Sequence, residues 1–238
     1  MEVARIYRNY KPKIGEYKFN ITIKESDLFF VTDKDVKEKA YFSLLKYRKI
    51  IEEHIKEYPE FFSSLRPLKI PEKPLSKIIL SMYKASEKAN VGPFSAVAGA
   101  ISQFVALDLK KYCKEILIEN GGDIFIYGNK DRIVALKGVN NLNLGIKIKK
   151  EKLPLAVCSS SSKIGHSLSF GNADLVTVIA KDGALADAFA TSICNKIKKK
   201  ANLIKILEEV SLDEIIGIIV IYNNKIAIKG DIEFTKLI

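Results

Sequence analysis

The sequence has no tryptophan and, across 238 residues, only two methionines, two histidines and three cysteines. Cys113, Cys158 and Cys194 are odd in number and widely spaced. They therefore make neither a disulfide framework nor a C-x-x-C metal or redox site, and each reads as a small buried hydrophobe. Long apolar runs are missing too: none approaches the roughly 18 to 20 uninterrupted residues of a membrane span. The start, Met1-Glu2-Val3-Ala4-Arg5, carries charge early and is not followed by an apolar core of signal-peptide type, so a cytoplasmic location is the default expectation. No G-x-G-x-x-G and no G-x-x-x-x-G-K-[ST] occurs, and Rossmann and P-loop readings fail at their own signatures.

What is present is a globular composition, 47% hydrophobic and 28% charged, with a formal net charge of +11. Such an excess attracts phosphorylated ligands or nucleic acid. The basic residues run along the whole chain, including Lys147, Lys149 and Lys150, and Lys196 with Lys198 to Lys200. They form no focused patch with interleaved aromatics, which ranks a nucleic-acid partner last.

Periodicity gives an α+β reading, with an antiparallel sheet and packed helices. Tyr17, Phe19, Ile21 and Ile23 alternate with polar residues and precede the apolar run Leu28 to Val31, which predicts a hairpin. A helix is expected over Asp35 to Tyr58, with Tyr41, Leu44, Leu45, Arg48, Ile51, Ile55 and Tyr58 on its packing face. Three of the seven prolines fall in residues 66–74, a loop that would be the boundary if the single domain 1–238 has two lobes. Helices follow around Leu75 to Met82 and, after Gly92-Pro93, over the Ala-rich Phe94 to Leu109. Strands are expected at Glu115 to Glu119, Ile124 to Tyr127, Arg132 to Leu136, Leu142 to Lys149, Leu155 to Cys158 and Ala173 to Ala180. Helices at Leu185 to Lys198 and Leu203 to Val210 then lead to a closing hairpin, Ile218 to Tyr222 with Ile226 to Lys229, joined at Asn223-Asn224.

Three turns carry the candidate chemistry. In Glu119-Asn120-Gly121-Gly122-Asp123, paired glycines permit backbone angles that expose N–H groups to an anion, although a plain sheet turn has the same composition. In Cys158-Ser159-Ser160-Ser161-Ser162-Lys163-Ile164-Gly165-His166-Ser167, hydroxyls and Lys163 can hold phosphate oxygens and His166 can exchange a proton near neutral pH; a polar surface loop is the alternative. His54, on a charged and apolar helix, reads instead as a packing or surface residue. In Ala186-Asp187-Ala188-Phe189-Ala190-Thr191, Asp187 and Thr191 share one helix face and can offer hard oxygen ligands to Mg²⁺. Equally, an Asp near a helix start is stabilised by the dipole, with Thr191 bonding back to the backbone.

Taken in order, these segments resemble the ApbE superfamily, the FAD:protein FMN transferases, and within it a short archaeal and bacterial group. Ile118 to Gly128 is similar to that superfamily's strand with a Gly-Gly-acidic turn, Val157 to Gly171 to its hydroxyl-rich segment with a histidine at His166, and Asp174 to Ala180 with Ala186 to Thr191 to its strand and Ala-Asp-Ala-x-Ala-Thr helix. Gly92-Pro93-Phe94-Ser95 stands where the superfamily has a lysine-glycine segment. The resemblance implies Mg²⁺ at Asp187 and Thr191. It also implies contacts from Asn120, Gly121, Gly122, Asp123, Ser159, Ser160, Ser161, Lys163 and His166 to FAD or a related phosphorylated cofactor. Asp187 and His166 would then be the catalytic residues, the reaction being cleavage of FAD or transfer of its FMN moiety to a protein or small-molecule acceptor. The competing functions are a non-catalytic flavin or nucleotide binder and a nucleic-acid-binding protein.

Overall fold

The computed structural model describes residues 15–136, 144–162, 171–198, 202–223 and 225–237. Alternation builds its first hairpin: Tyr17–Ile23 (β1) and Ser26–Thr32 (β2) pair antiparallel around a two-residue turn that Lys24 enters at φ 50°. Strands Ile116–Asn120 (β3), Asp123–Tyr127 (β4), Leu155–Ser160 (β7), Leu175–Ala180 (β8), Ile215–Tyr222 (β9) and Lys225–Gly230 (β10) complete an eight-stranded sheet ordered β1-β2-β3-β4-β7-β8-β9-β10. Every neighbouring pair is antiparallel. Between β4 and β7 the chain leaves this sheet for a smaller one, in which Arg132–Ala135 (β5) and Leu144–Ile148 (β6) join Glu233–Lys236 (β11) in the order β11-β6-β5. The expected strand from Leu142 is β6, and its first two positions lie outside the described residues.

The large sheet has two buried faces, with side chains alternating between them. Ile126, Leu155, Val157, Ile179, Ile219 and Ile221 point toward the small sheet and meet Val134, Ile146 and Ile148 there. Phe125, Ala156, Cys158, Val176, Val178 and Val220 point the other way, into a core shared with the helices. Those helices are Lys37–Glu57 (α1), Glu60–Ser63 (α2), Lys77–Ala89 (α3), Val97–Leu109 (α4), Gly183–Lys196 (α5) and Leu203–Glu208 (α6). The helical core contains residues from both sides of the 66–74 loop, from Ile21 and Leu44 to Ile78 and Val220.

One predicted face is rotated. On α1 the buried residues are Ala40, Ser43, Leu44, Tyr47, Ile51 and His54, whereas Tyr41 and Leu45 are 43% and 42% exposed. Polar partners inside the molecule set this rotation. Asp108 of α4 accepts hydrogen bonds from Ser43 Oγ at 2.8 Å and Tyr47 Oη at 3.0 Å, and His54 Nε2 lies 3.1 Å from Tyr83 Oη. His54 is thus a packing residue, with its ring edge-on to Phe61 and Tyr83.

No single helix among the described residues is long and apolar enough to cross a membrane. The pair of α3 with the Pro93–Leu109 segment passes by composition, but it bends by 109° and its apolar side chains belong to the core.

Candidate functional site

The site is built where α4 and α5 cross above β4 and β7. Glycine makes the crossing close: a Cβ on Gly99 would lie 2.1 Å from Gly183 O, and one on Gly183 would lie 2.5 Å from Gly99 O. Side chains fix the register around it. Asp182, the N-cap of α5, accepts from Leu185 N–H at 2.8 Å, and Gln103 Oε1 accepts from Gly183 N–H at 2.6 Å. Ser102 Oγ lies within hydrogen-bonding distance of both Ala98 O, at 3.0 Å, and Asp123 O, at 3.2 Å, which ties α4 to the start of β4.

Helix α4 begins at Ala96, which has no side chain to cap its first N–H groups. Asp187 supplies the missing acceptor from the neighbouring helix. Its Oδ2 accepts from Gly99 N–H at 2.9 Å, and its carboxylate also accepts from the amide of Ala98. The sequence suggested an Asp stabilised by the dipole of its own helix. In the fold the dipole is that of α4, while α5 is capped by Asp182. Thr191, one turn beyond Asp187 on α5, is half-buried.

A second carboxylate stands beside the first. Asp123 opens β4 immediately after the Gly-Gly turn, and the alternation that sends Phe125 into the helical core sends Asp123 the same way. Its Oδ1 accepts from Ser159 N–H at 3.0 Å, and the Cys158 thiol, which donates to Gly183 O at 3.6 Å, lies beside the same carboxylate. Asp123 is 6% exposed and Asp187 8%. Burial holds the Asp187 carboxyl up at about 7, against the helix-end amides that pull it down. Burial, reinforced by the charge of Asp187, raises Asp123 well above the carboxylate range. The Cys158 thiol is pushed up as well, by burial and by both aspartates, so it is not a thiolate nucleophile at neutral pH. Among the described residues neither aspartate is paired with a lysine or arginine.

The remaining sequence candidates separate. The Gly121-Gly122 turn is a two-residue hairpin with φ of 67° and 113°, and its Gly122 N–H is already directed to Glu119 Oε1 at 2.8 Å. Asn120 Nδ2 reaches Ala98 O at 3.4 Å, so it serves the same helix start. In the serine run, Ser159 Oγ lies 2.8 Å from Thr177 Oγ1, Ser161 Oγ donates to Asp174 O at 2.7 Å, and Ser162 Oγ donates to Ala173 O at 2.6 Å. Ser160 is 6% exposed, and its Oγ has no hydrogen-bond partner among the described residues. Lys163 and His166 lie outside the described residues.

The pairing of Asp123 with Asp187 was not a sequence expectation, although each residue was singled out for a different reason. The readable signal was the parity of β4: Asp123 and Phe125 fall on one face, and that face is the one the helices cover. No group of three or more His, Cys, Asp or Glu side chains placed to hold a metal occurs among the described residues. Two buried carboxylates remain, with a half-buried threonine on the Asp187 helix. This donor chemistry suits a hard cation that keeps waters or ligand phosphates in its shell.

An antiparallel sheet covered by helices on one face and a small sheet on the other, with this helix crossing at its centre, defines the ApbE-like class of mixed α/β proteins. Two solved structures share the fold: the ApbE protein of Thermotoga maritima, with a TM-score of 0.58 at 13% identity over 92% of this chain and 96% of that one, and the flavinyl transferase ApbE of Pseudomonas stutzeri in its apo form, with 0.53 at 14% identity over 90% and 94%. A family profile described as "AbpE bacteria" matches residues 9–214. A UPF0280 protein of Methanocaldococcus jannaschii is 40% identical over 91% of both chains, and one of Methanococcus aeolicus is 42% identical over 77% of this chain and 73% of its own. The chain belongs to the UPF0280 family, and it shares the ApbE-like fold with the flavinyl transferase at much lower sequence identity.

Proposed function

We propose that this protein binds Mg²⁺ together with a flavin dinucleotide or a related phosphorylated nucleotide at the α4–α5 crossing, and acts on the ligand's pyrophosphate. The observation that carries the reading is the buried Asp123–Asp187 pair. Two carboxyls with no basic partner among the described residues are costly to ionise, and a cation is the partner that would make both charges favourable. The fold shared with a flavinyl transferase supports flavin as the first ligand to test.

Asp187 and Thr191 would hold the cation from α5, with Asp123 facing them from β4. A bound divalent cation would supply charge neutralisation and polarisation of a phosphoryl oxygen. The chain's own contribution is orientation: the amides of Ala98 and Gly99 fix the Asp187 carboxylate, and Ser159 N–H fixes that of Asp123. The Gly-Gly turn and the serine run would line the ligand, and His166 would serve as the general acid or base.

The test is to incubate metal-stripped protein with FAD, with and without Mg²⁺, and to measure retained flavin and released AMP. Mg²⁺-dependent AMP release, abolished by Asp187→Ala, is the expected result. Intact FAD retained without breakdown would reduce the reading to a binder, and AMP release unchanged by Asp187→Ala would remove the metal site.

A further inference from the structure

Of the four consecutive serines, three have hydroxyls committed within the fold. Ser159 points to the small-sheet side, where Thr177 meets it, and Ser161 and Ser162 bond to the backbone around Ala173 and Asp174. Ser160 closes β7 with its side chain on the same face as Ala156 and Cys158, the face that α5 covers. A buried hydroxyl without a partner costs stability. An acceptor on a bound ligand would remove that cost.

Topology places that hydroxyl. Helix α5 follows β8 through a two-residue connection and folds back along the sheet, so it runs in the direction of β7. Cys158 Sγ is 3.6 Å from Gly183 O, which fixes where the two elements are level. From there two strand residues advance ~6.6 Å and four helical residues ~6 Å, so Ser160 comes level with Asp187. A buried hydroxyl with no partner among the described residues thus stands level with a buried carboxylate where α5 packs on β7.

We propose that Ser160 is the ligand-contacting member of the serine run, its hydroxyl donating to a phosphate oxygen of the nucleotide held beside Asp187. This rests on the phosphorylated-ligand reading above. It assigns Ser159, whose hydroxyl meets Thr177, to the fold, with Thr177 as its partner.

The experiment measures FAD affinity in Mg²⁺ and thermal stability without ligand, for the wild-type chain, Ser160→Ala and Thr177→Val. Ser160→Ala is expected to weaken FAD binding about tenfold, the loss of one hydrogen bond to a charged acceptor. Its melting temperature without ligand stays equal or rises, because the unpartnered polar atom is gone. Thr177→Val is expected to do the opposite, lowering the melting temperature while leaving FAD affinity unchanged. Equal FAD affinity for Ser160→Ala and wild type overturns the assignment while leaving the flavin reading in place. So does a fall in both affinity and melting temperature, the mark of a structural serine; in that case Ser160→Gly, which also lacks the hydroxyl, is expected to reproduce the loss. A wild-type chain that binds no FAD in Mg²⁺ removes the reading itself.

Discussion

At the scale of the residue, Asp187 has two roles that different substitutions separate. It accepts from the amides that begin α4, and it is a carboxyl that burial holds at about 7. Asn keeps an acceptor oxygen and loses the charge; Ala loses both. Asp187→Ala is therefore expected to lose about 1 kcal/mol or more of stability through the cap, whereas Asp187→Asn retains the cap. The pH dependence has a definite sign. A carboxyl raised from 3.8 to about 7 binds its proton more tightly in the folded state, so its contribution is fully present below the unfolded value and is lost as pH rises toward 7. Asp123 shifts in the same direction and adds to the effect. In metal-free buffer the melting temperature should fall between pH 5 and pH 8 for the wild-type chain, and the fall should be smaller for Asp187→Asn. A wild-type melting temperature that instead climbs over that range would contradict the buried pair. Divalent-cation binding should tighten over the same interval, because the ligands must give up their protons.

At the scale of the element, the helix crossing is the narrowest fit in the site. Gly99 and Gly183 each face the other's carbonyl, with backbone on both sides and little room to yield. Gly99→Ala should cost about 3 kcal/mol, the upper end of overpacking effects, and should displace the Ala98 and Gly99 amides from Asp187. Chemical denaturation reads the first effect, and the loss of the steep pH dependence reads the second. The elements themselves were largely legible. A period-two pattern marked β1, a short apolar run marked β2, and the Ala-Asp-Ala-x-Ala-Thr block marked α5. What escaped was decided by partners far along the chain. The rotation of α1 follows from Asp108, which draws Ser43 and Tyr47 inward where a hydrophobic stripe through Tyr41 and Leu45 looked equally helical. Strand β11 is four residues with one large apolar side chain, Phe234, and becomes a strand because β6 offers it an edge. The acid pair needs β4 and α5 to be brought together, which no local spacing encodes.

At the scale of the whole molecule, the site borders the main hydrophobic core, and a thiol there reports how that core opens. Cys158, beside both aspartates, shares that core with Cys113 and Cys194, and all three are 2% exposed or less. Burial and the charge of Asp33 push the Cys113 thiol up to about 11, so it too is poorly reactive when folded. A thiol reagent should therefore label none of the three in the native protein and all three in denaturant. At low denaturant the rates should report how the molecule opens. A ligand at the crossing stabilises only states in which Asp123 and Asp187 are held together, by ~2.7 kcal/mol when its concentration is 100 times its Kd. If α5 leaves the sheet as a local event, Mg²⁺ with FAD should slow labelling of Cys158 by about the corresponding hundredfold while Cys113, near the start of β3, keeps its rate. If the core opens only as a unit, all three cysteines should slow together. Mass spectrometry of labelled peptides distinguishes the two, and labelling of Cys158 at an unchanged rate under saturating ligand would place the binding site elsewhere in the fold.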